Sequence, residues 1–158
     1  MQPPAADATT SLRQAIDHLP QGIAIFDAAL RLVTCNRRYV ALLGLPDAVT
    51  APGTMLFDIA LRLATRGDFG AGDATRLAVE RIDLLTSSQS TVTQRLGHSG
   101  QTLEFHSSRL PDGGLVISIA DVTARAHAER ELERVNQTLE GRVAERTAAL
   151  TRVNAELE

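Results

Sequence analysis

Three strand-type runs, separated only by two short turns that contain glycine, occupy residues 90–123. The runs read STVTQRLG, QTLEFHSSRL and GLVISIADVT, and the turns GHSG and PDGG lie between them. Turns as short as these join neighbouring antiparallel strands. This stretch therefore predicts an antiparallel meander, and the chain has to build its core against a sheet.

Two further strand-type runs lie near the start of the chain, GIAIFD at 22–27 and RLVTCN at 31–36. Only three residues separate them, which is typical of a hairpin. Helix-type segments at 37–44, 54–67 and 74–87 stand between this hairpin and the meander. Helices inserted between groups of strands predict an α+β domain, in which a five-stranded antiparallel sheet carries helices on one face.

The strand-type run at 114–123 is apolar at nearly every position. A strand that is apolar on both sides is covered on both sides, so we expect it at the centre of the sheet. One of its faces would meet the inserted helices. The other face would take a partner subunit or a short N-terminal helix, which the spacing of Leu12, Ala15, Ile16 and Leu19 predicts.

Residues near the ends of the inserted helices indicate where these helices start and stop. Thr54 and Asp73 have side chains that can cap the second and third of these helices. Gly44 and Gly67 stand where the first and second end. The stretch GDFGAGD, which starts at Gly67, holds three glycines and predicts a turn-rich connection.

The chain divides into three zones. Residues 1–10 show no periodicity and are expected to be disordered. Residues 11–123 hold the predicted α+β domain. Residues 124–158 contain no proline and one glycine, which predicts a single long helix. Because this pattern stops at Glu158 without a glycine or proline, the sequence favours a fragment of a longer protein over a small free-standing sensor.

Composition excludes several classes of protein. The net charge is −3, all sixteen basic residues are arginine, and no basic block is present, which disfavours a nucleic-acid binder. Four phenylalanines and one tyrosine are the only aromatic residues, and bases and flavins commonly stack on such rings. The single cysteine, Cys35, is expected to pack in the core. With no leader-like start and no membrane-length apolar run, the sequence predicts a cytoplasmic protein.

No catalytic motif is present. The histidines, His18, His98, His106 and His127, are scattered along the chain, and the sequence predicts neither a metal site nor a nucleophile–base pair. His98 falls in a hairpin turn and is expected to be solvated. His127 is not expected to be a phosphoacceptor, because Ala128 and not an acidic residue follows it.

The long C-terminal helix carries a heptad seam of apolar residues. Its members are Leu132, Val135, Leu139, Val143, Leu150, Val153 and Leu157. The spacing changes register between Leu139 and Val143, beside Gly141, which is a stutter that locally unwinds a coiled coil. Charged pairs three residues apart, such as Glu131 with Arg134, flank the seam.

A surface helix folded back on the domain is the alternative to a coiled coil. About 35 residues extend roughly 50 Å at 1.5 Å per residue. That length exceeds the diameter of a domain of this size. The pattern therefore favours a helix that associates with a second copy of itself.

Several motifs together resemble a PAS domain followed by the signalling helix of a bacterial sensor histidine kinase. GIAIFDAALRLVTCNRRY is similar to the PAS opening hairpin and first helix, and PDGGLVISIADVT to its closing hairpin and last strand. The loop RGDFGAGD resembles a PAS subgroup of hybrid histidine kinases. LEGRVAERTAALTRVNAEL, at 139–157, resembles the helix before the kinase dimerisation domain, although Gly141 replaces an expected charged residue.

The ending DVT resembles the Asp-x-Thr signature at the junction between a PAS core and its outgoing helix. Here the two signature residues are Asp121 and Thr123. The Thr123 hydroxyl can cap the helix, and Asp121 suits the positive end of its dipole. Arg125 is near enough in sequence to pair with Asp121. We expect these three residues to form a signal-coupling joint, an ordinary helix cap being the alternative.

A ligand pocket, if present, should lie between the sheet and the inserted helices. The residues expected to line it are Leu63, Ile82, Leu85 and Phe105. The scarcity of aromatic residues, the lack of histidine in those helices and the strand position of Cys35 predict that neither haem nor flavin binds. No other cofactor is expected, and the sequence does not identify a small-molecule ligand.

The resemblance implies a sensory input and dimerisation module of a two-component histidine kinase in a phosphorelay. Two such chains would form a parallel homodimer through residues 124–158 and pass a signal to kinase domains in the parent protein. The phosphoacceptor and ATP-binding segments are absent, so the chain itself is not expected to be an enzyme. A ligand-free PAS module that only dimerises, or a PAS input for a cyclic-dinucleotide enzyme, is the alternative.

Overall fold

A computed structural model describes residues 10–11, 14–87 and 89–157, without the side chain of Gln89. The predicted disordered segment therefore lies outside the described residues except for Thr10, which is helical. Leu12 of the predicted N-terminal helix also lies outside them, whereas residues 14–17 are helical as predicted.

Five strands and four labelled helices follow these helical residues. They are β1 (Gly22–Phe26), β2 (Leu32–Cys35), α1 (Arg37–Leu43), α2 (Leu56–Thr65), α3 (Ala74–Thr86), β3 (Gln89–Arg95), β4 (Thr102–Arg109), β5 (Leu115–Asp121) and α4 (Thr123–Glu156). A short 3-10 turn, Asp47–Val49, lies between α1 and α2. The order of elements agrees with the prediction from sequence.

The five strands form one antiparallel sheet in the order β2-β1-β5-β4-β3. The last strand, β5, is therefore the central strand, as its continuous apolar character predicted. Alternate residues of β1 and β5, including Ala24, Phe26, Ile117 and Ile119, are buried on one face. This period of two directs one side of the sheet towards the core that it shares with α1, α2 and α3.

The two predicted helix caps have opposite outcomes. Asp73 Oδ1 accepts a hydrogen bond from Arg76 N at 2.8 Å, so the cap of α3 is confirmed. The cap at Thr54 is wrong, because α2 begins at Leu56 and the Thr54 hydroxyl donates to Ala51 O at 2.7 Å. The backbone explains this difference: Thr54 O accepts from Leu32 N at 2.8 Å, which holds Thr54 against the edge of the sheet.

Asn36 joins three segments of the fold and is 1% exposed. Its Oδ1 accepts from Ile23 N at 2.8 Å and from Tyr39 N at 3.0 Å, so that it caps α1 and binds β1. Its Nδ2 donates to Ile16 O at 2.7 Å and to Gln21 O at 2.9 Å. One amide side chain thereby satisfies four backbone groups.

The chain divides into two compact units, one ending at Val122 and the other beginning at Thr123. The second unit is α4, a continuous helix of 34 residues with no buried residue among those described. Within it, the predicted pair Glu131–Arg134 is confirmed by an Arg134 Nη2 to Glu131 Oε1 distance of 2.7 Å. None of the helices in the described part of the chain is long and apolar enough to cross a membrane.

Candidate functional site

A small cavity lies where α2 and α3 pack over the sheet. Its volume is about 20 Å³, which is room for one water molecule. The cavity is lined by Tyr39, Leu43, Leu56, Ile59, Ala60, Leu63, Phe69, Arg81, Leu85, Phe105 and Ile117. All of these side chains are apolar except for the arginine and the tyrosine hydroxyl.

Three of the four residues predicted for a pocket line this cavity. Leu63 comes from α2, Leu85 from α3 and Phe105 from β4. The fourth, Ile82, is half-buried and packs against the core cluster instead. The sequence pattern therefore predicted three of the elements that meet at the cavity, whereas α1 and β5, which also line it, were not predicted.

Arg81 is the charged residue in the cavity wall, and the sequence did not predict it there. It is 8% exposed, and its Nη2 donates to Gln94 Oε1 at 2.6 Å. Its Cζ lies 4.4 Å from the ring centroid of Phe69 and 5.9 Å from that of Phe105. Within the described part of the chain, the buried Nη1 has no hydrogen-bond partner. Burial lowers the pKa of Arg81, but a guanidinium still carries its charge at neutral pH.

The apolar stripe of α3 explains why Arg81 was missed. The sequence places Ala78, Ile82 and Leu85 on one stripe, whereas the structure buries Ala78, Arg81 and Leu85. Steps of three and of four residues both keep a side chain on one helix face. Because residue 82 is apolar, the sequence pattern assigned it to the buried face of α3, whereas in the structure residue 81 is the one buried there.

Tyr39 is buried in the wall of the same cavity. Burial, with a smaller contribution from Cys35, raises the pKa of the Tyr39 phenol well above its usual value. The phenol consequently stays protonated throughout the physiological range. Cys35 packs against the core cluster, in agreement with the predicted role for a lone cysteine.

Asp68 carries a buried carboxylate just after the end of α2. This carboxylate contacts Arg66 and His98. It is 0% exposed. Its Oδ2 lies 2.6 Å from Arg66 Nη2, and its Oδ1 accepts from His98 N at 3.0 Å and lies 2.7 Å from His98 Nδ1. His98 is an exposed residue of a hairpin turn, as predicted, but its ring also contacts this buried carboxylate, which the sequence did not predict. Arg66 also donates to the carbonyls of Leu43 and Gly44, where α1 ends.

We expect Asp68→Asn to lower the free energy of unfolding by about 2 kcal/mol near pH 7, since hydrogen bonds to a charged group are lost. Burial on its own would raise the pKa of Asp68, but the hydrogen bonds from His98 and Arg66 together hold it below 3.8. A carboxyl with a lowered pKa stabilises the fold above its unfolded pKa, and that contribution is lost as pH falls through its folded pKa.

Urea unfolding of the wild type and Asp68→Asn between pH 3 and pH 7 measures this contribution. The difference between the two proteins should be greatest above about pH 5 and should shrink in more acidic solution. Asp83→Asn, on the exposed side of α3, is the matched control. An Asp68→Asn difference no larger than that of the control would contradict the assignment.

The three predicted coupling residues lie on either side of the boundary between the two units. Asp121 is the last residue of β5, and its Oδ2 accepts from Gln101 Nε2 at 3.0 Å. Thr123 is the first residue of α4, and Arg125 Nε lies 3.6 Å from Glu129 Oε1 one turn further along that helix. Their role in coupling stays a prediction.

Six residues of the predicted heptad seam lie on α4, Leu157 directly follows it, and all seven are exposed. The exposed fractions of its seven residues range from 40% for Val135 to 80% for Leu157. Gly141, beside the change of register, has no heavy atom within 4 Å of the position that a Cβ would take. The helix therefore presents an apolar stripe that nothing in its own unit covers.

The PAS-fold family model matches residues 16–130, well over half of the chain. The chain belongs to the PAS-fold family. The five-stranded antiparallel sheet and the helices inserted between β2 and β3 agree with that membership. The PAS domain is a sensory module and is not itself catalytic. Within the described residues, no group of three or more His, Cys, Asp or Glu side chains is placed to hold a metal ion.

One protein known from its sequence and two domains of known structure are among those similar to this chain. The Non-motile and phage-resistance protein of Caulobacter vibrioides is 26% identical over 142 residues, which cover 89% of this chain but only 15% of that protein. The PAS domain of Bordetella pertussis BvgS is 18% identical and has a TM-score of 0.55, with 84% of this chain and 98% of that one covered. A domain of a sensory box sensor histidine kinase/response regulator from Geobacter sulfurreducens is 17% identical, with a TM-score of 0.46 and 72% and 94% covered. The likeness to the BvgS domain shows the fold alone.

Proposed function

We propose that this PAS-fold chain is the sensory input and dimerisation module of a histidine kinase. In this proposal, two chains associate in parallel through α4, and the state of the PAS core reaches a kinase core through that helix. The observation that carries the proposal is the exposed apolar seam of α4.

The energetics of the seam support association with a second copy. Full burial of a leucine or valine side chain is worth about 1.5–3 kcal/mol. In a single chain the seven seam side chains are exposed, so this stabilisation is gained only when a second copy covers them. Flanking ion pairs such as Glu131–Arg134 add only about 0.2–0.5 kcal/mol each. The apolar residues therefore decide whether two helices associate.

The parallel orientation follows from the proposed output. Two identical input domains act on one dimeric output only if their outgoing helices leave side by side. The chain passes directly from β5, the central strand, to α4 through Val122 alone. We propose Asp121, Thr123 and Arg125 as the joint at which a change in the core alters the phase of the two helices.

The resemblance of 139–157 to the helix that precedes a kinase dimerisation domain selects a histidine kinase as the output. Coiled-coil signalling depends on the phase of the heptad, because each added residue rotates the seam by about 100° and seven residues nearly restore it. This dependence provides a direct functional test.

The test fuses residues 1–158 to a histidine kinase core so that the heptads continue in the same phase across the junction. Residues are then inserted after Gln137. A seven-residue insertion should retain autophosphorylation near the level without an insertion, whereas a two-residue insertion, which rotates the seam by about 200°, should change it several-fold. Both insertions lengthen the helix, so the seven-residue variant controls for length. Equal activity from both would contradict transmission through helix phase.

A ligand-free dimerisation module is the second candidate, and the size of the cavity favours it. About 20 Å³ admits one water molecule and no organic ligand without movement of the core. Native mass spectrometry of the purified chain distinguishes the two functions. A small molecule retained at one copy per chain supports a ligand sensor, and its consistent absence supports the ligand-free module.

A further inference from the structure

The Nη1 atom of Arg81 is a buried hydrogen-bond donor that has no acceptor among the described residues. Arg81 is more than nine-tenths buried, and its Nη1 has no partner within the described residues. A buried polar group without a partner is costly, and native structures almost always provide one. A group outside the described residues therefore belongs at this position.

The charge of Arg81 is also unbalanced. Gln94, which accepts the hydrogen bond from Nη2, is neutral, and no carboxylate lines the cavity. No ion pair to Arg81 exists among the described residues, and burial alone accounts for the lowering of its pKa. A buried charge is normally paired with an opposite charge. The missing acceptor should therefore be an anion.

The walls of the cavity indicate the rest of the ligand. Leu63, Leu85, Phe105 and Ile117 present only hydrocarbon next to the guanidinium. Such walls exclude a polyanion or a sugar and accept an apolar body, while one charged group fixes its orientation.

We propose that this cavity binds a short apolar monocarboxylate. A carboxylate oxygen accepts from Arg81 Nη1, and the hydrocarbon part packs among the apolar walls. The inference rests on the proposed sensory function and names the chemical class of its signal. A bond from a guanidinium to a carboxylate is stronger than one to a neutral acceptor, so the anionic head is the main determinant of recognition.

Phe69 is the residue whose movement provides the space. It is half-buried, lies on the connection between α2 and α3, and covers the guanidinium. Gly67, Gly70 and Gly72 on the same connection have positive φ, which glycine adopts without strain. Displacement of the Phe69 ring would join the cavity to solvent and expose the face of Arg81 to a ligand.

The test titrates the complete chain with sodium octanoate and, separately, with 1-octanol, which has the same chain length but no charge. Calorimetry and amide chemical shifts report binding. Octanoate should bind saturably and at least tenfold more tightly than 1-octanol, with shifts in α3 and in the connection that carries Phe69. Absence of saturable octanoate binding, or equal affinity for the alcohol, would overturn the proposal.

Arg81→Met tests the assigned residue, with Arg76→Met on the exposed face of α3 as its control. Arg81→Met should weaken octanoate binding at least tenfold and leave 1-octanol binding nearly unchanged, whereas the control should alter neither. If Arg81→Met fails to fold, two measurements on the wild type decide the question. The first is the ratio of its affinities for octanoate and 1-octanol, and the second is the loss of that difference in affinity as the pH falls and octanoate becomes protonated. An ordered water on Nη1 with no octanoate binding assigns the site to water.

The two proposals fail separately. A chain that does not bind octanoate but whose kinase fusion responds to helix phase retains the signalling function and loses the carboxylate site. A chain that binds octanoate through Arg81 but shows no dependence on helix phase retains the site and loses the proposed route of transmission.

Discussion

Replacement of Asn36 by alanine is expected to destabilise the PAS core by at least about 3 kcal/mol. The change removes the cap of α1, which alone is worth about 0.5–2 kcal/mol. It also leaves Ile23 N and the carbonyls of Ile16 and Gln21 without their partner. Each of these half-buried groups costs about 1–3 kcal/mol where no water replaces the amide.

Urea unfolding followed by circular dichroism measures this loss. Asn136→Ala, at an exposed position of α4, makes the same chemical change and should alter stability by less than about 0.5 kcal/mol. The slope of the unfolding free energy with urea should be unchanged, because the exposed area is the same. An Asn36→Ala loss below about 1 kcal/mol would show that water replaces the amide.

Replacement of Leu132 by aspartate is expected to weaken the α4 dimer by more than a hundredfold. Each chain loses about 1.5–3 kcal/mol of buried apolar surface. Two chains together lose at least about 3 kcal/mol, and each 1.4 kcal/mol is a factor of ten in the dissociation constant. The two new carboxylates would also face each other across the seam.

Sedimentation equilibrium at micromolar concentrations measures the dissociation constant. Gln137→Asp introduces the same charge on the opposite side of the helix and should leave the constant within about threefold of the wild type. A wild-type chain that is monomeric at these concentrations, or equal effects of the two substitutions, would contradict an association through the seam.

Local patterns were sufficient to predict the elements of this fold. The alternation in β1 and β4, the continuous apolar run of β5 and the heptads of α4 are all set by neighbours a few residues apart. These patterns also predicted that α2, α3 and β4 meet at the cavity, and they placed Leu63, Leu85 and Phe105 on its wall.

Polar contacts between distant segments were not predictable in this way. Asp68 and His98 are thirty residues apart, and Arg81 and Gln94 are thirteen apart. Nothing in the turn GHSG distinguishes a histidine that binds a buried carboxylate from one in solvent. Arg81 was missed because an arginine on a helix is normally exposed, and only the packing of α3 against Phe69 and Phe105 reveals its burial.

The central claim is that α4 joins two PAS-fold chains in parallel, and disulfide cross-linking tests it most directly. Single cysteines at Leu132 and at Leu150, in a Cys35→Ser background, lie about 27 Å apart along the helix at 1.5 Å per residue. In a parallel dimer each cysteine faces its own copy within the 4.4–6.8 Å that a disulfide spans between Cα atoms, so both variants should cross-link efficiently and Gln137→Cys should not. In an antiparallel dimer only residues near the centre of the overlap meet their own copy, so cross-linking at one position without the other, or at neither, would contradict the parallel arrangement.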